Sequence, residues 1–206
     1  MEAMLEAGRW FGFRLGWLLL LTWGAWSGCR ERLPVPKPRG YFRIDMPERL
    51  LRDESSGCGP RFELPQYAGC VSASMSETEG FCGFNVVFPA FQAVLHCTHV
   101  SLDGSTAMLD ALVADAHDLA FNHDIKATGI GRQIFTFPEQ EVYGLMYDLR
   151  GPVATPVQFF ATDSSHHFVR GSLYFNHEPN PDSLRPALAQ VRADVVHMME
   201  TMKWNP

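Results

Sequence analysis

The chain has 206 residues, 46% of them apolar and 19% charged, which is enough apolar material for one substantial core and excludes a disordered chain. Its formal charge is −6 and it carries no basic run, so binding to nucleic acid through phosphate neutralisation is excluded as its main business.

In chain order, Arg9 and Arg14 precede Leu15 to Trp26, a stretch of twelve residues without a charge. Basic residues, a short apolar run and then small residues form an export signal, and the run is shorter than the roughly 18 to 20 residues that span a bilayer. Ser27 and Gly28 leave room for cleavage before Cys29, whose thiol is then expected to carry diacylglycerol, with an N-acyl chain such as palmitate on its amino group. Residues 1–28 are thus read as a lipoprotein signal peptide. Residues 29–40, with Pro34, Pro36 and Pro38 alternating, form a lipid anchor and an extended, semi-rigid tether. Residues 41–206 are expected to make one domain, with no cofactor besides the covalent lipid on Cys29.

Within that domain, Tyr41 to Asp45 and Arg61 to Leu64 read as short strands bounded by proline, and the Ser/Glu/Thr-rich stretch from Ser72 to Gly80 as a solvated loop. Phe84 to Phe88 and Phe91 to Val100 are strands interrupted at Pro89, which cannot donate to a ladder. From Ser105, Leu109, Leu112, Val113, Ala116, Ala120 and His123 fall on one face of a helix that Asp103, Ser105 or Thr106 can cap. Strands are expected at Gln133 to Phe137, Glu141 to Arg150, Val157 to Thr162 and His167 to Phe175, with Tyr143, Leu145, Tyr147 and Leu149 sharing a face. After Asp182 and Ser183, Leu184, Leu188, Val191, Val195, Met198 and Met202 mark a closing helix with Pro186 in its first turn. The order has no repeating β-helix-β unit, so the expected fold is α+β, a largely antiparallel sheet packed against two long amphipathic helices.

Once Cys29 is lipidated, Cys58, Cys70, Cys82 and Cys97 form an even set suited to disulfides in an exported protein, and spacing alone does not choose the pairing. No CxxC knuckle, HExxH or Gly-x-Ser-x-Gly pattern is present, so neither a metal site nor a catalytic nucleophile is expected. His96 and His99 point to opposite faces of a strand, and His166 and His167 diverge likewise. Asp163, Ser165, His167 and Arg170 gather in one hairpin. The plain reading is that Asp163 and Ser164 bond the turn backbone while Arg170 faces water or a cross-strand carboxylate.

Three stretches are more particular than a generic domain requires: Lys37-Pro38-Arg39-Gly40-Tyr41-Phe42-Arg43-Ile44-Asp45, Phe84-Asn85-Val86-Val87-Phe88-Pro89-Ala90-Phe91, and the run from Thr162 to Asn176 that contains His167-Phe168-Val169-Arg170-Gly171. Together they resemble the gliding-motility lipoprotein GldD family, and the resemblance extends from Lys37 to Trp204. It implies a non-enzymatic, outer-membrane lipoprotein on the periplasmic side, required for gliding and type IX protein secretion, with partners such as GldJ and GldB. Cys58 and Cys82 resemble a cysteine pair of that family, which leaves Cys70 with Cys97. Tyr41, Phe42, Arg43, His123, Lys126, Asp163, His167 and Arg170 are the candidate interaction surface. The alternatives are a periplasmic carrier of a lipid or small hydrophobic ligand, and an unrecognised hydrolase.

Overall fold

The computed structural model describes residues 45–57, 59–76, 81–122, 126–176 and 181–205, which fall within the compact unit Tyr41–Pro206. Cys29, Tyr41, Phe42, Arg43, Cys58 and His123 lie outside the described residues.

Among the described residues nine strands and two α-helices follow one another: β1 (Leu51–Ser55), β2 (Arg61–Pro65), β3 (Gly69–Ser76), β4 (Phe81–Phe88), β5 (Ala93–Ser101), α1 (Thr106–Phe121), β6 (Gly129–Phe137), β7 (Val142–Arg150), β8 (Val157–Thr162), β9 (His167–Phe175) and α2 (Pro181–Glu200). β1 and β2 form a hairpin of their own, and the rest make a seven-stranded sheet in the order β3-β4-β5-β9-β8-β7-β6, antiparallel throughout. The mixed architecture with a mostly antiparallel sheet is as expected. The helices run to 16 and 20 residues, and α1 buries only Ala116 and Ala120 fully, so its stripe is shallower than the periodicity suggested.

Several elements differ from the expectation. The stretch taken for a solvated loop is mostly edge strand β3, because pairing with β4 from Gly69↔Val87 to Ser76↔Phe81 satisfies its backbone whatever its serine content. β1 is formed by the charged sequence Leu-Arg-Asp-Glu-Ser, which has no apolar alternation to announce it. Asp45, the described end of the first expected strand, lies in an irregular segment. Pro186 sits inside α2, since the helix begins at Pro181 and a turn is added before it.

The sheet has two unlike faces. On one, Phe84, Val86, Leu95, Val142, Met146, Phe159, Val169 and Leu173 meet Phe62 and Leu64 of β2 and Val191, Val195, Met198 and Met199 of α2. Backbone bonds between Arg61 and Lys203, at 2.9 and 2.8 Å, fasten the segment after α2 to β2. Inside this layer Asp194 is fully buried and accepts from Arg49 Nε at 2.8 Å and from the Tyr67 hydroxyl, which Gln190 also reaches at 3.0 Å. Burial pushes the Asp194 carboxyl up, against the Tyr67 and Arg49 donors. Burial and the Asp194 contact push Tyr67 up to about 12.

Two hairpins turn the same way. Phe88-Pro89 and Phe137-Pro138 each open a short 3-10 turn closed by a left-handed residue, Gln92 at φ 48° and Glu141 at φ 53°. Both carbonyls are used: Asn176 N–H donates to Gln92 at 2.9 Å and Trp204 Nε1 to Glu141 at 3.1 Å. Gly171 is where it is because a Cβ there would stand 2.2 Å from the Phe159 ring.

Candidate docking face

Among the described residues the second face of the sheet is covered only in part. α1, capped by the Ser105 hydroxyl accepting from Met108 N–H at 3.2 Å, packs Leu109, Leu112 and Val113 over Phe160, Phe168, Tyr147 and Leu149. Beyond it, Arg132, Ile134 and Thr136 of β6, Tyr143 and Leu145 of β7, and Phe160 and Thr162 of β8 line an open groove of about 560 Å³. Ile134 is 79% exposed and Tyr143 37%, whereas their strand neighbours Phe135 and Val142 point into the opposite core.

Arg132 is the charge on this surface. It makes no hydrogen bond or ion pair among the described residues, and its field opposes the rise that burial imposes on the Tyr147 hydroxyl. That hydroxyl lies 3.2 Å from His117 Nδ1. A smaller cleft of about 110 Å³ opens elsewhere along α1 between Phe81, Thr98, Leu112, Phe168 and the Asp115–Arg170 pair.

Of the expected interaction residues, Lys126, Asp163, His167 and Arg170 are described, and they fall in three separate places. Asp163 and His167 share the β8–β9 turn, where Asp163 Oδ1 accepts from the backbone N–H groups of Ser165, His166 and His167 at 3.0, 2.8 and 2.8 Å. Burial alone would raise this carboxyl, but those three donors and the His167 charge outweigh it and hold it below the usual range. His167 Nδ1 lies 3.0 Å from His99 Nε2, and Trp204 stacks on the His167 ring with centroids 5.2 Å apart. Arg170, expected to face water or a cross-strand carboxylate, points to the α1 face and pairs at 3.0 Å with the partly exposed Asp115 of the helix. Lys126 belongs to the opposite end of the sheet, its carbonyl lying close to Gly151 beyond β7.

The histidines divide as their strand positions required. His96 meets Asn85 at 2.8 Å, while His99 is buried on the other face. Among the described residues no group of three or more His, Cys, Asp or Glu has the arrangement to hold a metal ion.

Cys70 and Cys97 are free thiols, so the pairing left to them is corrected. They occupy one face of β3 and β5 with β4 between them, and Cys97 lies two residues along β5 from Leu95, which stands across β4 from Cys70; two strand spacings with that offset put them about 12 Å apart, beyond the roughly 7 Å Cα separation a disulfide spans. Burial, with Glu54 adding, pushes the Cys70 thiol up to about 11, and burial raises Cys97 well above its ordinary value. Cys82 is disulfide-bonded, and its partner is not among the described residues.

Sequence reasoning missed the groove. Ile130, Arg132, Ile134 and Thr136 alternate on β6, but only the position of β6 at the sheet edge makes that alternation an open surface. No curated protein and no solved structure matches the chain. The model of the family described as gliding motility lipoprotein GldD matches residues 31–204, and the chain therefore belongs to that family.

Proposed function

We propose that this chain is a non-enzymatic lipoprotein that helps assemble or stabilise the gliding-motility and type IX secretion machinery by docking to other lipoproteins, GldJ and GldB among them. Cys29 carries the lipid and holds the domain at the periplasmic side of the outer membrane, with residues 30–40 as its tether. The observation that carries the docking reading is the partly covered sheet face, where, among the described residues, an apolar groove stands open beside an Arg132 without a hydrogen-bond or ion-pair partner. The polar groups nearest to a catalytic grouping are engaged in the fold: Asp163 holds its own turn and His167 contacts His99 and stacks with Trp204.

The disulfide partner of Cys82 in this reading is Cys58. A Cβ at Gly59 would lie 3.1 Å from the ring of His99, the cross-strand neighbour of Cys82. Peptide mapping without reduction then finds Cys58 joined to Cys82.

Affinity purification of the lipidated chain from crosslinked envelopes tests the function. Recovery of GldJ or GldB, diminished in the Cys29→Ala form, is the expected outcome. Recovery of the chain alone with a co-purifying lipid contradicts it in favour of a carrier.

A further inference from the structure

Building on the docking reading, we propose that β6 is a receiving edge: an extended segment of a partner protein adds to it as an eighth strand, with apolar residues flanking a carboxylate that faces Arg132.

The hydrogen-bond pattern shows which groups are available. Leu149 N–H donates to the Pro156 carbonyl at 2.9 Å, so Leu149 and, by alternation, Tyr147, Leu145 and Tyr143 direct their backbone groups towards β8. The intervening residues Asp148, Met146, Gly144 and Val142 bond β6 through Gly131, Gln133, Phe135 and Phe137. The N–H and C=O groups of Ile130, Arg132, Ile134 and Thr136 therefore point outward from the sheet, and their side chains lie on the groove face. A strand that bonded these four residues would present its own alternate side chains to the same groove.

The two edges of the sheet differ in protection. β3 carries a register shift between Ser72 and Ser74, and Arg52 of β1 reaches the Ala68 carbonyl just before it at 3.0 Å. β6 is nine residues long, without proline and without a shift in its register with β7. Long, regular and uncovered edges are the ones that accept another strand.

Charge narrows the occupant. Arg132 has no acceptor among the described residues and sits two residues from Ile134, so the favoured segment places Asp or Glu two positions from a β-branched or aromatic residue. The chain's own tether does not fit, because Arg30, Arg32, Lys37 and Arg39 repel Arg132 and its prolines remove donors.

The probe is the peptide acetyl-Thr-Val-Thr-Glu-Thr-Val-Thr-amide, titrated against the full lipidated chain in detergent, beside the same peptide N-methylated at Val, Glu and Val. Saturable binding is expected, with amide shifts at Ile130, Arg132, Ile134 and Thr136. N-methylation should weaken it by more than about tenfold through loss of the edge bonds. Arg132→Gln should weaken the Glu peptide by about threefold to fivefold and leave a Gln version unchanged. Equal binding of the N-methylated peptide, no binding, or β6 occupied by a second copy of the chain would each overturn strand addition.

In cells, Thr136→Pro removes only an outward N–H, so it should keep the thermal midpoint within a few degrees while abolishing type IX secretion; Thr136→Val should retain it. Secretion that survives Thr136→Pro but not deletion of the chain leaves the docking reading standing and sinks strand addition. Secretion that survives deletion sinks the docking reading itself.

Discussion

The two faces of the seven-stranded sheet are finished in different ways. Towards α2, the β1–β2 hairpin, the helix and the segment around Lys203 close over a continuous layer that includes Phe84, Met146, Phe159 and Met199. Towards α1, the described residues cover the sheet with one shallow helix and leave Ile134, Tyr143 and the groove between them exposed. The particular residues of the sequence mostly serve packing and turns: Gly171 makes room for Phe159, Asp163 holds the β8–β9 turn and Pro89 opens a hairpin turn. The open surface is made of ordinary strand residues. A stretch that is distinctive in sequence therefore need not be the one that meets a partner.

The strongest way to break the sealed face is Gly144→Ala. Its Cβ would lie 2.3 Å from the Phe160 carbonyl oxygen and 3.3 Å from Met199, so β7 and β8 must separate. A loss of about 3 kcal/mol is expected in urea unfolding, at the upper end for overpacking. A loss near zero would show that the layer yields where it is described as closed.

Asp163→Ala is the next in size, about 1–2 kcal/mol, because three backbone N–H groups lose one acceptor at a partly buried turn. The sign with pH follows from a folded carboxyl held below the usual 3.8. Its stabilisation is complete above that value and is lost as the pH falls through the lower folded one. The difference between wild type and variant, measured by urea titration, should narrow below pH 3.8. A difference that widens there would reverse the assignment.

Ile134→Ser should have the smallest effect on folding, within about 0.5 kcal/mol, since the side chain is 79% exposed. It sharpens the comparison of faces because docking, and not stability, is what it should cost. Recovery of partners unchanged by this substitution would move the docking surface elsewhere.

Much of the fold was legible before any coordinates. β8 and β9 run from Val157 to Thr162 and from His167 to Phe175, the bounds expected from the sequence, and Ser105, one of three expected caps, caps α1. β1 and β3 were not legible, because a charged strand and a serine-rich edge strand are held by pairing that local pattern does not record. The relation of Cys70 to Cys97 depended on β4 lying between their strands, a matter of sheet order. The docking face was illegible for the same reason. Arg132 and Ile134 look like any alternating strand until β6 is known to have a neighbour on one side only.

The most direct test of the account places a cysteine at Ile134 and measures its labelling by a maleimide, in the purified chain and in native envelopes. Cys70 is replaced by Ser in this background, and Ala114→Cys on the exposed side of α1 serves as the reference. The account predicts that position 134 is labelled readily in the purified chain and shielded in envelopes, while position 114 is labelled in both. Equal labelling of position 134 in the two settings would contradict a docked β6 face.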